Sequence, residues 1–338
     1  MSASTTRIAV AAVLCSAFVP TTVSAADEPA QVAVYRAEDT LSVGKDSKPD
    51  ADALLRKLQW KPAQFDVACS AEPLTMYDRL VRFPSPAPSG DAANDSVSME
   101  WYAARDDNGK RIKAPAVVVV HESGSNMAVG KLFARSLREQ GLHTFMLHLP
   151  YYGKRGTAGR RPDDRLFVPL VQQAITDVRR ARDAVAALPD VDTDCIALQG
   201  TSLGGFVITM SASLDQSFDG VFIMLAGGDL HGLIVNGKKD TAKAREMLED
   251  RGFTGDRLKR LLWQIEPTRI AHRLDSKHTW LYSGQTDQVV PIENARALAK
   301  AAGLDDHHHI TVDANHYSAI FHVPTILDHM VARVRPGS

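Results

Sequence analysis

Cysteine is scarce in this chain, with three residues among 338. No two stand in CxxC spacing, so the pattern excludes a cysteine-based zinc module and no metal is expected. An excess of charge of one sign is also missing: 39 Lys and Arg face 40 Asp and Glu, a formal net charge of −1. That balance sets up no broad field toward nucleic acid or an anionic membrane. The basic pairs Arg160-Arg161 and Arg179-Arg180 are short and offset by nearby acids, as expected of a solvated helix face or loop. No apolar run reaches the roughly 20 residues a spanning helix needs, so stable membrane insertion is not expected. Internal repeats and low-complexity tracts are absent as well, which excludes solenoids and arrays. What remains is a globular composition with 44% hydrophobic residues, ample for a buried core.

The N-terminus reads as a targeting segment. Arg7 precedes an apolar run from Ile8 to Val19, Pro20 breaks it, and Val23-Ser24-Ala25 places small residues at cleavage positions. This order describes a secretory signal peptide over residues 1–25, with cleavage near Ala25 and a secreted or periplasmic destination. Cys15 leaves with it, and the Leu14 before it does not suit a lipoprotein signal. Cys69 and Cys195 then remain. They either pair in an oxidising compartment or stay as buried free thiols.

Residues 26–70 are polar, with several prolines and weak periodicity, and read as a leader that packs on the core or stays loose. The domain proper is expected over 71–335. Candidate strands at Tyr77–Phe83 and Val97–Ala104 flank the breaker-rich loop Pro84-Ser85-Pro86-Ala87-Pro88-Ser89-Gly90. From Ala116 onward strand and helix patterns alternate. The apolar run Ala116–His121, helical spacing over Asn126–Gln140, strand His143–Leu149 and the long amphipathic helix Leu166–Leu188 come first. Strand Ile196–Gln199, helix Leu203–Leu214 and strand Val221–Leu225 follow, and Thr279–Ser283, Glu293–Ala302, Ile310–Val312 and Tyr317–Val334 repeat the rhythm. Such alternation implies βαβ units and a mostly parallel central sheet flanked by helices. Between about 229 and 273 the rhythm stops, and charged helical sequence is inserted between two strands. An insertion after a strand's carboxyl end is placed to form a small helical lid over a ligand site, or else a plain surface excursion.

Gly200-Thr201-Ser202-Leu203-Gly204 fits G-x-S-x-G and lies between a strand and a helix. In that setting the serine sits on a tight turn as a nucleophile, and glycines at 200 and 204 avoid collision with neighbouring backbone. The competing reading is a phosphate loop, but its Gly-Lys-Ser/Thr ending is missing. A serine hydroxyl needs a base beside it. His316 follows the last strand, in Asp313-Ala314-Asn315-His316-Tyr317. His322 and His329 fall in the final helix, and His307-His308-His309 reads as an exposed loop run rather than a metal site. Asp287, in Gly284-Gln285-Thr286-Asp287-Gln288-Val289-Val290-Pro291, suits the acid that orients His316, with Glu293 as fallback. Two backbone N–H groups are needed for an oxyanion, and Leu203 and Ser123 are the candidates. His121 and Glu122 either edge the pocket or brace that loop. Tyr151 and Tyr152 either pack against substrate or shield their own loop.

Together these motifs resemble the α/β-hydrolase superfamily, and within it the branch of dienelactone hydrolases, acetyl xylan esterases and prolyl-oligopeptidase-like hydrolases. The resemblance runs from about Tyr77 to Val334. It includes Leu188-Pro189-Asp190-Val191-Asp192, Gly200-Thr201-Ser202-Leu203-Gly204-Gly205, the acid loop and Asn315-His316-Tyr317. It implies an α/β-hydrolase fold, a Ser202–Asp287–His316 triad, hydrolysis through an acyl-enzyme and no cofactor. Two departures stand out: His121-Glu122 replaces the His-Gly of many relatives, and the nucleophile is serine where dienelactone hydrolases have cysteine. The resulting expectation is a secreted carboxylesterase acting on a small-molecule ester. A peptidase or thioesterase on the same triad, or a non-catalytic binding protein on the scaffold, are the alternatives.

Overall fold

Val117, Val118, Val119 and Val120 are fully buried, and they set the architecture. A strand buried on both faces needs layers on both sides. The computed structural model describes residues 32–156 and 167–335, so the signal-peptide expectation lies outside the described residues. Its strands are β1 (Ala33–Glu38), β2 (Gln64–Ser70), β3 (Arg79–Pro84), β4 (Ser96–Tyr102), β5 (Ala114–Val120), β6 (His143–Leu147), β7 (Val191–Thr201), β8 (Val221–Met224), β9 (Thr279–Gly284) and β10 (His309–Val312). They form one ten-stranded sheet in the order β1-β2-β3-β4-β6-β5-β7-β8-β9-β10. The sheet is mixed. β1 to β4 pair as antiparallel neighbours and β4 meets β6 antiparallel, whereas β5 to β10 are parallel.

The helices are α1 (Pro49–Lys57), α2 (Ala92–Asp95), α3 (Ala128–Glu139), α4 (Phe167–Ala186), α5 (Leu203–Ala212), α6 (Leu230–Asn236), α7 (Asp240–Glu249), α8 (Gly255–Trp263), α9 (Ile292–Ala302) and α10 (Val323–Val334). Alternate residues of a strand face opposite sides. Val117 and Val119 accordingly pack with Phe133 and Leu137 of α3 and Met330 of α10. Val118 and Val120 pack with Val178 of α4, Ile208 of α5 and Leu298 of α9. No described helix is long and apolar enough to cross a membrane.

The chain crosses from β5 through α3 to β6 on one side, then through α4 to β7 on the other. The strand order therefore switches at β5, and the loops after β5 and β7 open a crevice at their carboxyl ends.

The segment offered by sequence as a leader contributes β1, α1 and β2 to this body from residue 33 onward. In β2, Phe65, Val67 and Cys69 turn inward while Gln64 and Asp66 stay exposed. Cys69 and Cys195 are both free, and the Cys195 thiol donates to Val334 O at 3.3 Å.

Buried ion pairs fasten this segment to α4. Arg180 donates through Nε and Nη2 to the two oxygens of Asp39, at 2.8 and 2.5 Å, and its guanidinium lies 4.8 Å from the centre of the Phe65 ring. Arg179 holds Thr40, Asp183 and Asp215 together. Removing one partner of such a pair strands the other charge in the interior, at a cost of about 3–5 kcal/mol. Asp39→Ala is therefore expected to lower the unfolding free energy by about that amount in urea titrations. A loss below about 1 kcal/mol would show that the pair does not hold the segment.

Candidate active site

Ser202 lies between β7 and α5 at φ 52° and ψ −116°, a left-handed backbone position that costs about 1–3 kcal/mol for a non-glycine residue. Its N–H donates to Met224 O at 2.8 Å, which ties the turn to β8. The flanking glycines make the turn possible. A Cβ on Gly200 would stand 2.6 Å from Gly204 O, and one on Gly204 would drive into Val120 O at the end of β5. The sharp turn lifts the Ser202 hydroxyl out at the head of α5, where four orphan N–H groups and the helix dipole favour a negative charge.

Asp287 and His316 meet Ser202 there. His316 Nε2 lies 3.1 Å from Ser202 Oγ, and Nδ1 lies 2.7 Å from Asp287 Oδ2. A carboxylate only accepts, so Nδ1 carries the proton, and Nε2 is left free to accept the serine proton. The other oxygen, Asp287 Oδ1, accepts from Val289 N and Val290 N at 2.7 and 2.9 Å. Asp287 is buried, which withdraws the pair from competition with water. The base loop is a turn closed by Asn315 Oδ1, which accepts from Tyr317 N and Ser318 N. Thr286 N donates to Ala314 O at 3.1 Å, so the acid and base loops are joined directly.

The other histidines and the fallback acid are occupied elsewhere. Glu293 is exposed in the first turn of α9. His329 Nδ1 is paired with Tyr282 OH at 2.6 Å. His308 pairs with Asp305, whereas His309 turns to Ser283 Oγ. The final helix starts at Val323, and the stretch Ser318–His322 before it is a 3-10 turn.

The loop after β5 is held from below. His121 is fully buried; Leu149 N donates to its Nε2 at 3.1 Å, so its Nδ1 bears the proton and donates to Glu122 O. Burial pushes the His121 ring down to about 4, which keeps it neutral. The Glu122 carboxylate caps α3 by accepting from Val129 N and Gly130 N, both at 3.1 Å. Tyr152 OH donates to Ser123 O at 3.0 Å, and its ring rests against His121 at 4.7 Å. Tyr151 N donates to Asn94 Oδ1. These contacts set the position of Ser123 beside Ser202. Leu203 opens α5, so its N–H has no intrahelical acceptor.

Two cavities share Ser202, Ser123 and Asp240 in their walls. One, of about 220 Å³, runs under the insertion and is walled by Phe206 and Met210 of α5, Val171 of α4, Leu233 of α6, Leu262 of α8 and Ile265. The helices between 229 and 273 thus roof a chamber instead of lying idle on the surface. The other, of about 320 Å³, is bordered by Glu122, Gly124, Met224, His316, Tyr317 and Ile320. Tyr151 and Tyr152 line neither.

The roof is tied to the loops that carry Asp287 and His316. Lys238 N donates to Gln288 O and Thr241 Oγ1 to Val289 O, both at 2.7 Å. Asp240 accepts from Tyr317 OH at 2.8 Å, and hydrogen bonds from Tyr317 and Lys243 hold its carboxyl below the usual carboxylate range. Sequence reasoning did not single out Asp240; only the folded position of α7 brings it to the site.

No family model matches the sequence, and no curated protein matches it. Among solved structures, an acetyl xylan esterase from Paenibacillus sp. R4 superposes with a TM-score of 0.62 at 15% identity, covering 86% of this chain and 96% of its own. Acetyl xylan esterase 1 from Thermoanaerobacterium sp. JW/SL YS485 gives 0.59 at 14% identity, covering 87% and 96%. The chain has the α/β-hydrolase fold. A puromycin-hydrolyzing peptidase from Mycobacterium tuberculosis shares it at a TM-score of 0.57 and 17% identity, over 80% of this chain and 45% of the peptidase.

Two outcomes follow from this α/β-hydrolase geometry. Because burial holds the folded His121 pKa at about 4 against an ordinary 6.5, the unfolded chain takes up the proton first. Stability from the neutral ring is complete above the ordinary value and is lost as pH falls from about 6.5 toward 4. Thermal melts should show Tm falling across that window, less steeply in His121→Gln; a level wild-type Tm would contradict the neutral ring. Gly204→Ala should fail to fold or lose several degrees of Tm, because the elbow cannot pack on Val120 O.

Proposed function

We propose that this protein is a serine hydrolase, and specifically a carboxylic-ester hydrolase that works through an acyl-enzyme on Ser202. The observation that carries the reading is the unbroken chain from Ser202 Oγ to His316 Nε2 at 3.1 Å and from His316 Nδ1 to Asp287 Oδ2 at 2.7 Å, set at the head of α5. In this scheme Ser202 Oγ bonds to the ester carbonyl carbon while His316 takes the hydroxyl proton. The carbonyl oxygen becomes an oxyanion beside the Leu203 and Ser123 N–H groups. The C–O bond to the alcohol then breaks, and His316 hands its proton to the departing oxygen. Water attacks the acyl-serine, gives a proton to His316, and releases the carboxylic acid as that proton returns to Ser202 Oγ. Asp287 stays ionised and stabilises the transient imidazolium.

The esterases among the structural neighbours favour the ester over the amide, and the residues need no cofactor for these steps. The Arg7-to-Ala25 pattern supports a secreted or periplasmic setting for this activity.

A fluorophosphonate probe should label Ser202 in the folded protein, and absence of label would exclude the enzyme reading. With 4-nitrophenyl butyrate, Ser202→Ala and His316→Ala should each reduce kcat on the order of 10⁶-fold. Asp287→Asn should reduce it about 10⁴-fold, since the wrong tautomer is then favoured. Equal turnover by wild type and Ser202→Ala would refute the mechanism.

A further inference from the structure

The two cavities differ in one respect that assigns them to the two halves of a substrate. The departing alcohol must receive its proton from His316 Nε2, so its oxygen has to lie on the His316 side of Ser202. The cavity bordered by His316, Tyr317 and Ile320 meets that requirement. The cavity under the insertion borders Ser202 and Leu203 but not His316, so it is the chamber left for the acyl half. This assignment rests on the ester-hydrolase reading above.

The chamber's walls state which acyl group they would take. Phe206 and Met210 of α5, Leu233 of α6, Leu262 of α8 and Ile265 present hydrocarbon to it. The one charged side chain among its described lining residues is Asp240, at the boundary with the other cavity, and its bonds to Tyr317 and Lys243 favour the ionised form. A carboxylate or phosphate tail would pass that negative charge and then lose its water among apolar walls, with no cation among the described lining residues to receive it. A roughly 150 Å³ apolar cavity accommodates benzene, and this chamber holds about 220 Å³. An acetyl group would leave most of it empty and forfeit contact with the walls.

We propose that this protein selects esters of uncharged, medium-length acyl chains, about six to eight carbons by that comparison, seated under α6, α7 and α8, with the alcohol beside His316. Specificity on the acyl side is then set by the insertion and α5.

The test is a series of 4-nitrophenyl esters with one leaving group: acetate, butyrate, hexanoate, octanoate and laurate, plus the singly ionised hemiadipate. Burial of each methylene is worth about fourfold, so kcat/KM should climb on the order of 100-fold from acetate to hexanoate and fall again at laurate. The hemiadipate should run at least about tenfold slower than hexanoate. Ala244→Phe, at a wall residue of α7, should move the optimum to shorter chains, and Leu233→Ala to longer ones. Two substitutions in opposite directions guard against a variant that simply folds poorly. Fluorophosphonate labelling of Ser202 together with a maximum at acetate, or hemiadipate as fast as hexanoate, would overturn the acyl assignment and leave the hydrolase reading standing. No labelling and no turnover of any ester would sink both.

Discussion

The site depends on one close approach, the Gly204 backbone against Val120 O at the end of β5. That contact lets α5 start immediately after β7, which forces Ser202 into its left-handed position. The strain is held by the Ser202 N–H bond to Met224 O and by packing of α5 on the buried valine strand. Once the serine is fixed, everything else is placed relative to it. The loops after β5, β9 and β10 bring Ser123, Asp287 and His316 within reach because their strands lie parallel in one sheet. The contact is backbone to backbone, so side-chain changes nearby cannot easily replace it.

The second level of organisation is the bracing beneath these loops. His121 and Glu122 follow β5 and Tyr152 follows β6, and all three brace the loop carrying Ser123 from behind. Their hydrogen bonds end on backbone atoms of Glu122, Val129, Gly130 and Ser123. Glu122 therefore has a physical role, as the cap of α3. On the far side, Asp39 and Thr40 clamp α4, and Asp50 receives Arg269 of the insertion at 2.7 Å through both oxygens. The N-terminal segment thus holds two walls of the chamber, α4 and the base of the roof.

How much of this was legible in the sequence follows from the physics of each element. Asp287, His316 and the G-x-S-x-G serine were readable because a strand-turn-helix context and a Ser–Asp–His order constrain them locally. The parallel core was readable because continuous apolar runs such as 116–120 have few other uses. β1 and β2 were not read as strands, since β1 at the sheet edge and β2 beside it bury one face at most and their exposed half looks like polar leader. The alternation Phe65, Val67, Cys69 was the signal available there. Asp240 was illegible in principle: its place comes from α7 folding back across 48 positions, from Thr241 to Val289, and across 77, from Asp240 to Tyr317, and no local pattern encodes either. The pairing of the cysteines was open at the sequence level and is decided by their remote places on β2 and β7.

The bonds from Lys238 and Thr241 to the acid loop, and from Asp240 to Tyr317, bear on how the site is loaded. A roof hinged free of the Asp287 and His316 loops could swing aside without disturbing them. This one is bolted to the carbonyls of Gln288 and Val289, beside the Asp287 carboxylate that holds His316. Lifting it would pull on Asp287 and on the loop carrying His316 at the same time. The position of the roof and the alignment of Ser202, Asp287 and His316 are therefore set together, and a change that loosens one would be felt by the other.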